Sequence, residues 1–103
     1  MVRDRVQIRI VDFDLDFGPL GNVVHLRDHD VEVANLYELL DFGPLTYRNI
    51  EGQGGTHVMI GRDSRSRSLY VTLRATPEAG VWHPVTGWRS KLAHQILQQE
   101  GRL

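Results

Sequence analysis

Arginine side chains dominate the chemistry that this sequence suggests. Arg62, Arg65 and Arg67 fall within one stretch predicted to be a turn, and Arg74 is predicted on the outward face of the strand that follows. The same half of the chain also contains Arg48, Arg89 and Lys91. A guanidinium group binds phosphate through a planar fork of N–H donors, which suits both an RNA backbone and charge on a phosphorus centre. The alternative interpretation is that these arginines are only solvated, as charged side chains usually are.

Aromatic residues accompany the arginines in the second half of the chain. They are Tyr47, Tyr70, Trp82 and Trp88. Planar rings stack on unpaired nucleobases, so these residues are candidates for contacts with single-stranded RNA. Most aromatic residues of a small domain lie in its core instead, and we expect this packing role for Trp82.

Histidines are the side chains best suited to proton transfer near neutral pH. The chain has five, at His25, His29, His57, His83 and His94. His25 and His29 would share one face of a continuous helix, an arrangement that can bind metal, but the helix break predicted between them favours two solvated side chains. The glycine-rich stretch at 52–55 lacks the Gly-Lys-Ser/Thr ending of a phosphate-binding loop. We therefore predict neither a metal site nor a cofactor.

The composition is that of one small globular domain. The chain has 103 residues, of which 41% are hydrophobic and 24% charged, and its formal net charge is −1. It has no cysteine, which excludes disulfides, cysteine-based zinc sites and cysteine nucleophiles. No apolar stretch is typical of a membrane span or a secretory signal, so we expect a cytoplasmic protein that does not interact with membranes.

Charge is unevenly distributed along the chain. Residues 1–42 carry nine acidic and four basic side chains, a net charge of −5, whereas residues 43–103 carry eight basic and four acidic ones, a net charge of +4. This asymmetry favours one surface that can approach phosphate and another that cannot. The alternative is that the two halves neutralise each other across the fold.

Hydrophobic periodicity predicts the elements of the first half of the chain. Val6, Ile8 and Ile10 alternate with polar residues, which predicts a strand over 5–12. A short helix is predicted over about 19–28, and a second helix, capped by Asp30, over 31–41.

The second half of the chain is predicted to be mostly strands. Turn-rich segments separate runs at 46–50, 56–61, 68–76 and 81–85, and an amphipathic helix follows Ser90. Short loops between consecutive strands indicate an antiparallel meander. We therefore predict an α+β domain, an antiparallel sheet of about four strands with helices before and after it.

Four short segments resemble, in their order, the motifs of one known protein family. HLRDHDVEVANL at 25–36 resembles a family segment Asn-Leu-x-Lys-His-Gly-Val that enters the second helix, with His29 and Val31 in matching places. MIGRD at 59–63 and SLYVTL at 68–73 resemble two consecutive family strands, and VTGWR at 85–89 resembles its Ile-Ser/Thr-Ala-Arg segment. Over roughly residues 25–92 the chain therefore resembles the BrnT family of bacterial toxins, small ribonucleases with a RelE-like fold that an antitoxin neutralises.

The resemblance also has departures from the family pattern. Asp28 stands in place of Lys and Asp30 in place of Gly, and Trp88 occupies the place of the family's arginine, with Arg89 one position later. If Arg89 cannot reach the position of that arginine, we expect the domain to bind its ligands as the family does but not to cleave RNA.

The resemblance implies a single RelE-like domain over residues 1–103 that cleaves mRNA without metal. In such a reaction the RNA 2′-hydroxyl attacks the adjacent phosphate, so the protein supplies a base, an acid and cationic stabilisation of the phosphorane. We predict Arg62 and Arg89 as the phosphate-stabilising pair and His83 or His57 as the proton-transfer group. The predicted RNA-binding residues are Arg65, Arg67, Tyr70, Arg74 and Trp88.

The resemblance also implies a protein partner. We expect a cognate antitoxin whose acidic segment covers the arginine-bearing surface, with Arg62 and Arg65 contributing to electrostatically steered association. Asp12, Asp14 and Asp16 are expected to stay exposed outside that interface.

Two other functional classes remain open. The first is a noncatalytic protein-interaction domain with a toxin-like fold, which Trp88 in the arginine place and the acidic residues 1–42 support. The second is a small-molecule enzyme, which only the histidines support.

Overall fold

The computed structural model describes residues 4–50 and 54–103. In these ranges the strands are β1 (Asp12–Phe13), β2 (Leu45–Arg48), β3 (His57–Arg62), β4 (Ser68–Ala75) and β5 (Val81–Arg89). The helices are α1 (Asn22–Asp28), α2 (Val33–Asp41) and α3 (Lys91–Gln99). None of the three has the length and apolar character that crossing a membrane requires.

The described strands form one mixed sheet in the order β1-β5-β4-β3-β2. Strands β2 to β5 make the predicted antiparallel meander, whereas β1 pairs with β5 in parallel through Asp12 and Phe13. The α+β class is therefore confirmed, and a purely antiparallel sheet of about four strands is wrong. A parallel pair needs a long connection rather than a tight turn, and here helices α1 and α2 and three strands separate β1 from β5.

The predicted strand over 5–12 is wrong except at its two ends, where Arg5 forms an antiparallel bridge with Tyr47 and Asp12 belongs to β1. Val6 N–H donates to the Thr46 carbonyl at one sheet edge (2.9 Å), and Val11 N–H donates to Gly80 O at the other (2.7 Å). Between these points Ile8 and Ile10 pack against the core. The segment therefore crosses one face of the sheet in extended form. An extended chain lying on a sheet buries alternate side chains just as a strand does, so the alternation predicted burial correctly but not ladder pairing.

The helices cover the two faces of the sheet. On the α1–α2 face, Leu26, Leu36 and Leu39 pack against Met59, Leu69, Val71 and Leu73. On the α3 face, Ala93 and Leu97 pack against Leu45, Tyr47, Val58, Ile60 and Tyr70. Alternation along β3 and β4 thus assigns even-numbered residues to the α3 face and odd-numbered ones to the α1–α2 face. This rule locates the strand residues of the predicted site.

Several element ends differ from the predicted ones. Helix α1 begins at Asn22 rather than near Pro19, and β5 continues to Arg89 rather than ending at Val85. The predicted cap by Asp30 is wrong, because Asp30 has a left-handed backbone (φ 63°) and lies outside the helix. At the start of α2, Asn35 Oδ1 instead accepts from the Glu32 N–H (2.8 Å).

Candidate functional site

The predicted catalytic residues lie at opposite ends of the sheet. At one end, called here the Arg62 end, Arg62 pairs with Ser68 and Arg89 pairs with Leu69. At the other, the His57 end, His57 pairs with Arg48 and Arg74 pairs with His83. Five residue steps along β3 separate His57 from Arg62, about 16 Å at the rise of an extended strand. The structure therefore does not bring the four predicted catalytic residues to one phosphate.

The proposed phosphate-stabilising pair is also divided between faces. Arg62 shares the α3 face with Ser68, whose Oγ lies 3.3 Å from Nδ1 of His94 on α3. Arg89 pairs with Leu69, which is buried on the α1–α2 face. The side chains of Arg62 and Arg89 therefore leave opposite faces of the sheet, two strands apart.

Arg67, one of the predicted RNA-binding residues, is engaged inside the protein. Its side chain is only 12% exposed, and Nε donates to Asp63 Oδ2 at 2.7 Å. Nη1 donates to the carbonyl and carboxylate of Asp30 (both 3.0 Å), and Nη2 donates to Asn35 Oδ1 (3.3 Å). All three nitrogens thus have protein acceptors, and an RNA contact by Arg67 would require breaking these bonds.

The buried Asp63 organises the turn that carries these arginines. Its Oδ1 accepts the backbone N–H groups of Arg65 (3.0 Å) and Arg67 (2.8 Å). Arg65 is exposed at this turn. Hydrogen bonds from Ser64 and Asn35, with a smaller contribution from the charge of Arg65, lower the pKa of Glu38. The turn is therefore a mixed-charge structure rather than a purely cationic one.

A cleft of about 570 Å³ opens at the His57 end. Its described lining residues are Arg48, Asn49, Ile50, Gly54, Gly55, Thr56, His57 and Arg74. This set contains two guanidinium groups, one imidazole and no carboxylate. The volume is in the range of small-ligand sites, and the lining chemistry suits an anion.

The backbone that forms this cleft requires glycine. A Cβ on Gly55 would lie 2.2 Å from the Leu73 carbonyl oxygen, and one on Gly54, whose φ is +87°, would lie 2.7 Å from Thr72 Oγ1. Asn49 braces the same loop, because its Nδ2 donates to Gly55 O (2.7 Å) and its N–H donates to Thr56 O (2.9 Å). The loop is thus held against β4 beside His57.

His57 has the environment of a neutral imidazole. Partial burial and the positive charge of Arg48, its cross-strand neighbour, lower the pKa of His57 from the ordinary value of 6.5. Nδ1 lies 2.9 Å from Thr56 Oγ1, and the Trp82 ring contacts the imidazole edge-on with centroids 5.0 Å apart. These contacts orient a group that can accept a proton near neutral pH.

His83, the alternative proton-transfer group, lies elsewhere at this end. Its Nδ1 is 3.0 Å from Asp14 Oδ2, at the junction of β1, β5 and α1. Asn22 stabilises that junction by donating to Asp14 O and Pro84 O (both 2.9 Å). His83 pairs across the strands with Arg74, and both belong to the α3 face, whereas His57 and its partner Arg48 belong to the α1–α2 face. The structure thus separates the two histidines.

Of the predicted aromatic residues, Trp82 packs in the core, and Trp88 stacks on Tyr70 and is partly exposed. Trp82 packs against the core and its Nε1 donates to Arg9 O (2.9 Å), which confirms the packing role expected for it. Trp88 is 38% exposed and lies on the buried ring of Tyr70, with centroids 4.9 Å apart and planes 27° apart.

The acidic first half has the expected exposure. Asp12, Asp14 and Asp16 are exposed, as predicted. Asp12 nevertheless accepts a hydrogen bond from Tyr37 Oη (2.5 Å), which lowers the pKa of Asp12. Among the described residues, no three His, Asp or Glu side chains lie together as a metal-binding group.

A second cleft, slightly larger at about 610 Å³, lies between the N-terminal segment and the end of α2. Its two arginines already have protein partners. Arg5 Nη1 donates to Glu100 (2.6 Å), and Arg102 donates to the carbonyl of Gly43. We therefore regard the smaller cleft at the His57 end as the better candidate.

Arg48, Asn49 and Thr56 are site residues that the sequence analysis did not assign. A weak signal existed for Arg48, because it lies near the end of one predicted strand and His57 lies near the start of the next. Pairing these two runs as a hairpin would place the two residues opposite each other. No pattern in the chain indicates that Arg74 lines the same cleft.

Comparison with known proteins assigns no family to this chain. No protein-family model, no curated protein and no solved structure matches it. Its function is therefore argued from the site.

Proposed function

We propose that the protein is a toxin-like, metal-independent endoribonuclease whose phosphate site is the cleft at the His57 end. The observation that carries this proposal is that Arg48, Arg74 and His57, whose pKa is lowered, all line one cleft. A neutral imidazole accepts a proton, and guanidinium groups stabilise charge that develops on phosphorus. The sequence resemblance to the BrnT family independently supports the same reaction class.

In the proposed reaction the RNA 2′-oxygen forms a bond to the adjacent phosphorus, and the bond from phosphorus to the 5′-oxygen breaks. His57 takes the proton of the 2′-hydroxyl. In the tautomer whose Nδ1–H donates to Thr56 Oγ1, the accepting nitrogen is Nε2. Arg48, which shares a face of the sheet with His57, binds the oxygens of the reacting phosphate, and Arg74, on the other face, binds a neighbouring phosphate. The leaving 5′-oxygen takes its proton from the protonated His57 or from water.

The biological setting forms part of the same proposal. A cytoplasmic ribonuclease with a RelE-like fold and an open cationic cleft would cleave mRNA of its own cell. A cognate antitoxin that covers the cleft with acidic side chains would prevent this. The positive charges of Arg48 and Arg74 in the cleft would attract such an acidic cover.

The proposal is tested by the cleavage of single-stranded RNA in the presence of EDTA. His57→Ala should lower the cleavage rate by about 10²- to 10⁴-fold, the usual contribution of a positioned general base. Arg48→Ala should lower it strongly, since it removes a stabiliser of transition-state charge beside His57. Arg74→Ala should mainly weaken RNA binding, since it removes a contact with a neighbouring phosphate. His29→Ala, which removes an exposed histidine far along the chain from the cleft, is the matched control.

Two outcomes would change this assignment. If Arg62→Ala and Arg89→Ala abolish cleavage while His57→Ala does not, the reaction belongs to the Arg62 end, as the sequence motifs predict. If the unmodified protein leaves RNA intact from pH 5 to pH 9, the enzyme proposal fails.

The second candidate function is a noncatalytic protein-interaction domain. The observation that favours it is the loop between β1 and α1, where Phe17 and Leu20 are both largely exposed. Exposed large apolar side chains close together often mark protein-binding surfaces. Harmless overexpression in bacteria, together with partner binding that Phe17→Ser and Leu20→Ser abolish, would support this function over the ribonuclease.

A further inference from the structure

The α3 face of the sheet is covered unevenly. Helix α3 packs on β3 and β4 through Ala93 and Leu97. The adjoining part of β5 carries Trp88, which is one of the few large apolar side chains that remain exposed in the described ranges. A large exposed indole near the end of β5 requires an explanation, since its burial would be favourable.

The geometry of Trp88 is that of a stacking platform. The buried Tyr70 ring covers one face of the indole at 4.9 Å, so the exposed surface belongs to the other face and the ring edge. The Tyr70 ring beneath the Trp88 indole keeps the orientation of the indole fixed. A rigid ring with one open face is the arrangement on which nucleobases stack.

The platform lies on the same face as one residue of the cleft. Tyr70 and Arg74 are both even-numbered residues of β4 and therefore point to the α3 face. Four residue steps separate them, about 13 Å at the rise of a strand. A chain whose phosphate lies against Arg74 can therefore reach Trp88 with a neighbouring base.

The charge of this surface favours a nucleic acid over a protein. The strand residues that belong to this face include Arg62 of β3 and Arg74 of β4, and Lys91 begins the helix α3 that packs on it. The other large exposed apolar residues, such as Phe17, Leu20 and Phe42, lie on other segments of the chain. A single ring among cations is typical of single-strand binding.

We propose that the Trp88–Tyr70 stack is a nucleobase subsite that holds a base of single-stranded RNA beside the phosphate in the cleft. This inference rests on the proposed function, because it assumes that the cleft binds the RNA backbone. It specifies the substrate as a single strand, since a base inside a duplex cannot stack on a side chain.

The test uses the two tryptophans separately. Trp82→Phe leaves Trp88 as the only indole, and it is titrated with a short single-stranded 2′-O-methyl RNA, which lacks the nucleophilic hydroxyl and cannot be cleaved. We expect the RNA to quench the fluorescence of Trp88. In the otherwise unmodified protein, Trp88→Ala should weaken binding of this RNA by about 5- to 150-fold, the range of one base stacked on an aromatic ring. Trp88→Phe should retain most of the affinity.

Controls separate this subsite from the cleft and from the enzyme. Trp88→Ala should leave the affinity for inorganic phosphate unchanged, whereas Arg48→Ala should lower it. Phe17→Ala, which removes another exposed aromatic ring, should not change RNA affinity. Quenching of Trp88 in a protein that never cleaves RNA would support the subsite and remove the enzyme proposal.

Three results would overturn the inference. The first is cleavage of RNA at the normal rate by Trp88→Ala and Trp88→Phe with unchanged RNA affinity. The second is RNA binding without any change in Trp88 fluorescence. The third is unchanged RNA affinity together with loss of binding to a protein partner, which would assign the ring to a protein interface.

Discussion

The two ends of the sheet use arginine in different ways. At the Arg62 end, Arg67 binds the fully buried carboxylate of Asp63 and also Asp30, which comes from the connection before α2. At the His57 end, Arg48 and Arg74 line a cleft with no described carboxylate, and the charge of Arg48 acts on His57 instead. The turn with the highest density of arginine is therefore largely structural, and the less conspicuous arginines are the better candidates for binding.

The two ends differ in how close their arginines lie to carboxylates. Asp63 lies within the arginine-rich turn, and its buried oxygens bind both the backbone and the side chain of that turn. None of the described residues that line the cleft is acidic, although the first half of the chain is strongly acidic. A high local density of arginine is thus a poor indicator of a phosphate site unless the carboxylate partners are also known.

The largest expected effect on stability is at the Arg62 end. Arg67→Ala should lower the free energy of unfolding by about 3–5 kcal/mol, because it leaves the buried charge of Asp63 without its partner. Urea unfolding measures this loss. Arg65→Ala in the same turn and Arg74→Ala in the cleft should each change stability by less than about 0.5 kcal/mol. Equal losses for all three variants would contradict the distinction between the two ends.

The next effect concerns the loop that forms the cleft. Gly55→Ala should destabilise the protein by about 1–3 kcal/mol, because the added Cβ would overlap the Leu73 carbonyl and the backbone must move. It should also weaken phosphate binding, since the loop lines the cleft. Gly18→Ala is the control, because the nearest atom to its Cβ belongs to an exposed carboxylate of Asp16. Unchanged unfolding and phosphate binding in Gly55→Ala would show that the loop does not form the cleft.

The third prediction concerns the end of the sheet that a cognate antitoxin covers. Stopped-flow association with the cognate partner should slow severalfold as salt rises from about 0.1 M to about 1 M, since the Debye length shrinks from about 10 Å to about 3 Å. A partner that covers the cleft should also associate more slowly with the Arg48→Ala, Arg74→Ala double variant. The sequence-based prediction instead expects this for Arg62→Ala, Arg65→Ala. A rate independent of salt would indicate apolar docking.

The smallest expected effect is the pH dependence that His57 contributes to stability. Its pKa in the folded protein is lower than the ordinary value of 6.5, so below pH 6.5 the unfolded chain binds more protons than the folded one. Stability should therefore fall as the pH drops from 6.5 towards the lowered pKa. His57→Gln should remove this component of the pH dependence of urea unfolding. A native pH profile that His57→Gln does not alter would contradict the environment described for His57.

Local patterns predicted most elements because the interactions that form them are close in sequence. The apolar spacing of Leu36 and Leu40 indicates helix α2, and the alternation of Leu69, Val71 and Leu73 indicates strand β4. The N-terminal segment shows the limit of such patterns. Alternate burial of Val6, Ile8 and Ile10 does not distinguish a paired strand from a chain that crosses a sheet face, because only the position of the other strands decides this.

For the candidate site, too, the sequence predicted the residue types, and the tertiary structure decided which of them lie together. Residue types alone indicated that arginines, histidines and aromatics of the second half could bind and process a phosphodiester. Strand periodicity placed His57 and Arg74 on neighbouring strands and Arg62 in the turn between them. Only the register of β2 to β5 decided that His57 lies opposite Arg48 and that Arg62 lies at the far end of the same strand. Likewise, only tertiary contacts made Arg67 a buried structural residue, because its partner Asp30 is 37 positions away. Residue chemistry is a property of the sequence, whereas the sharing of one cleft depends on which distant segments the fold brings together.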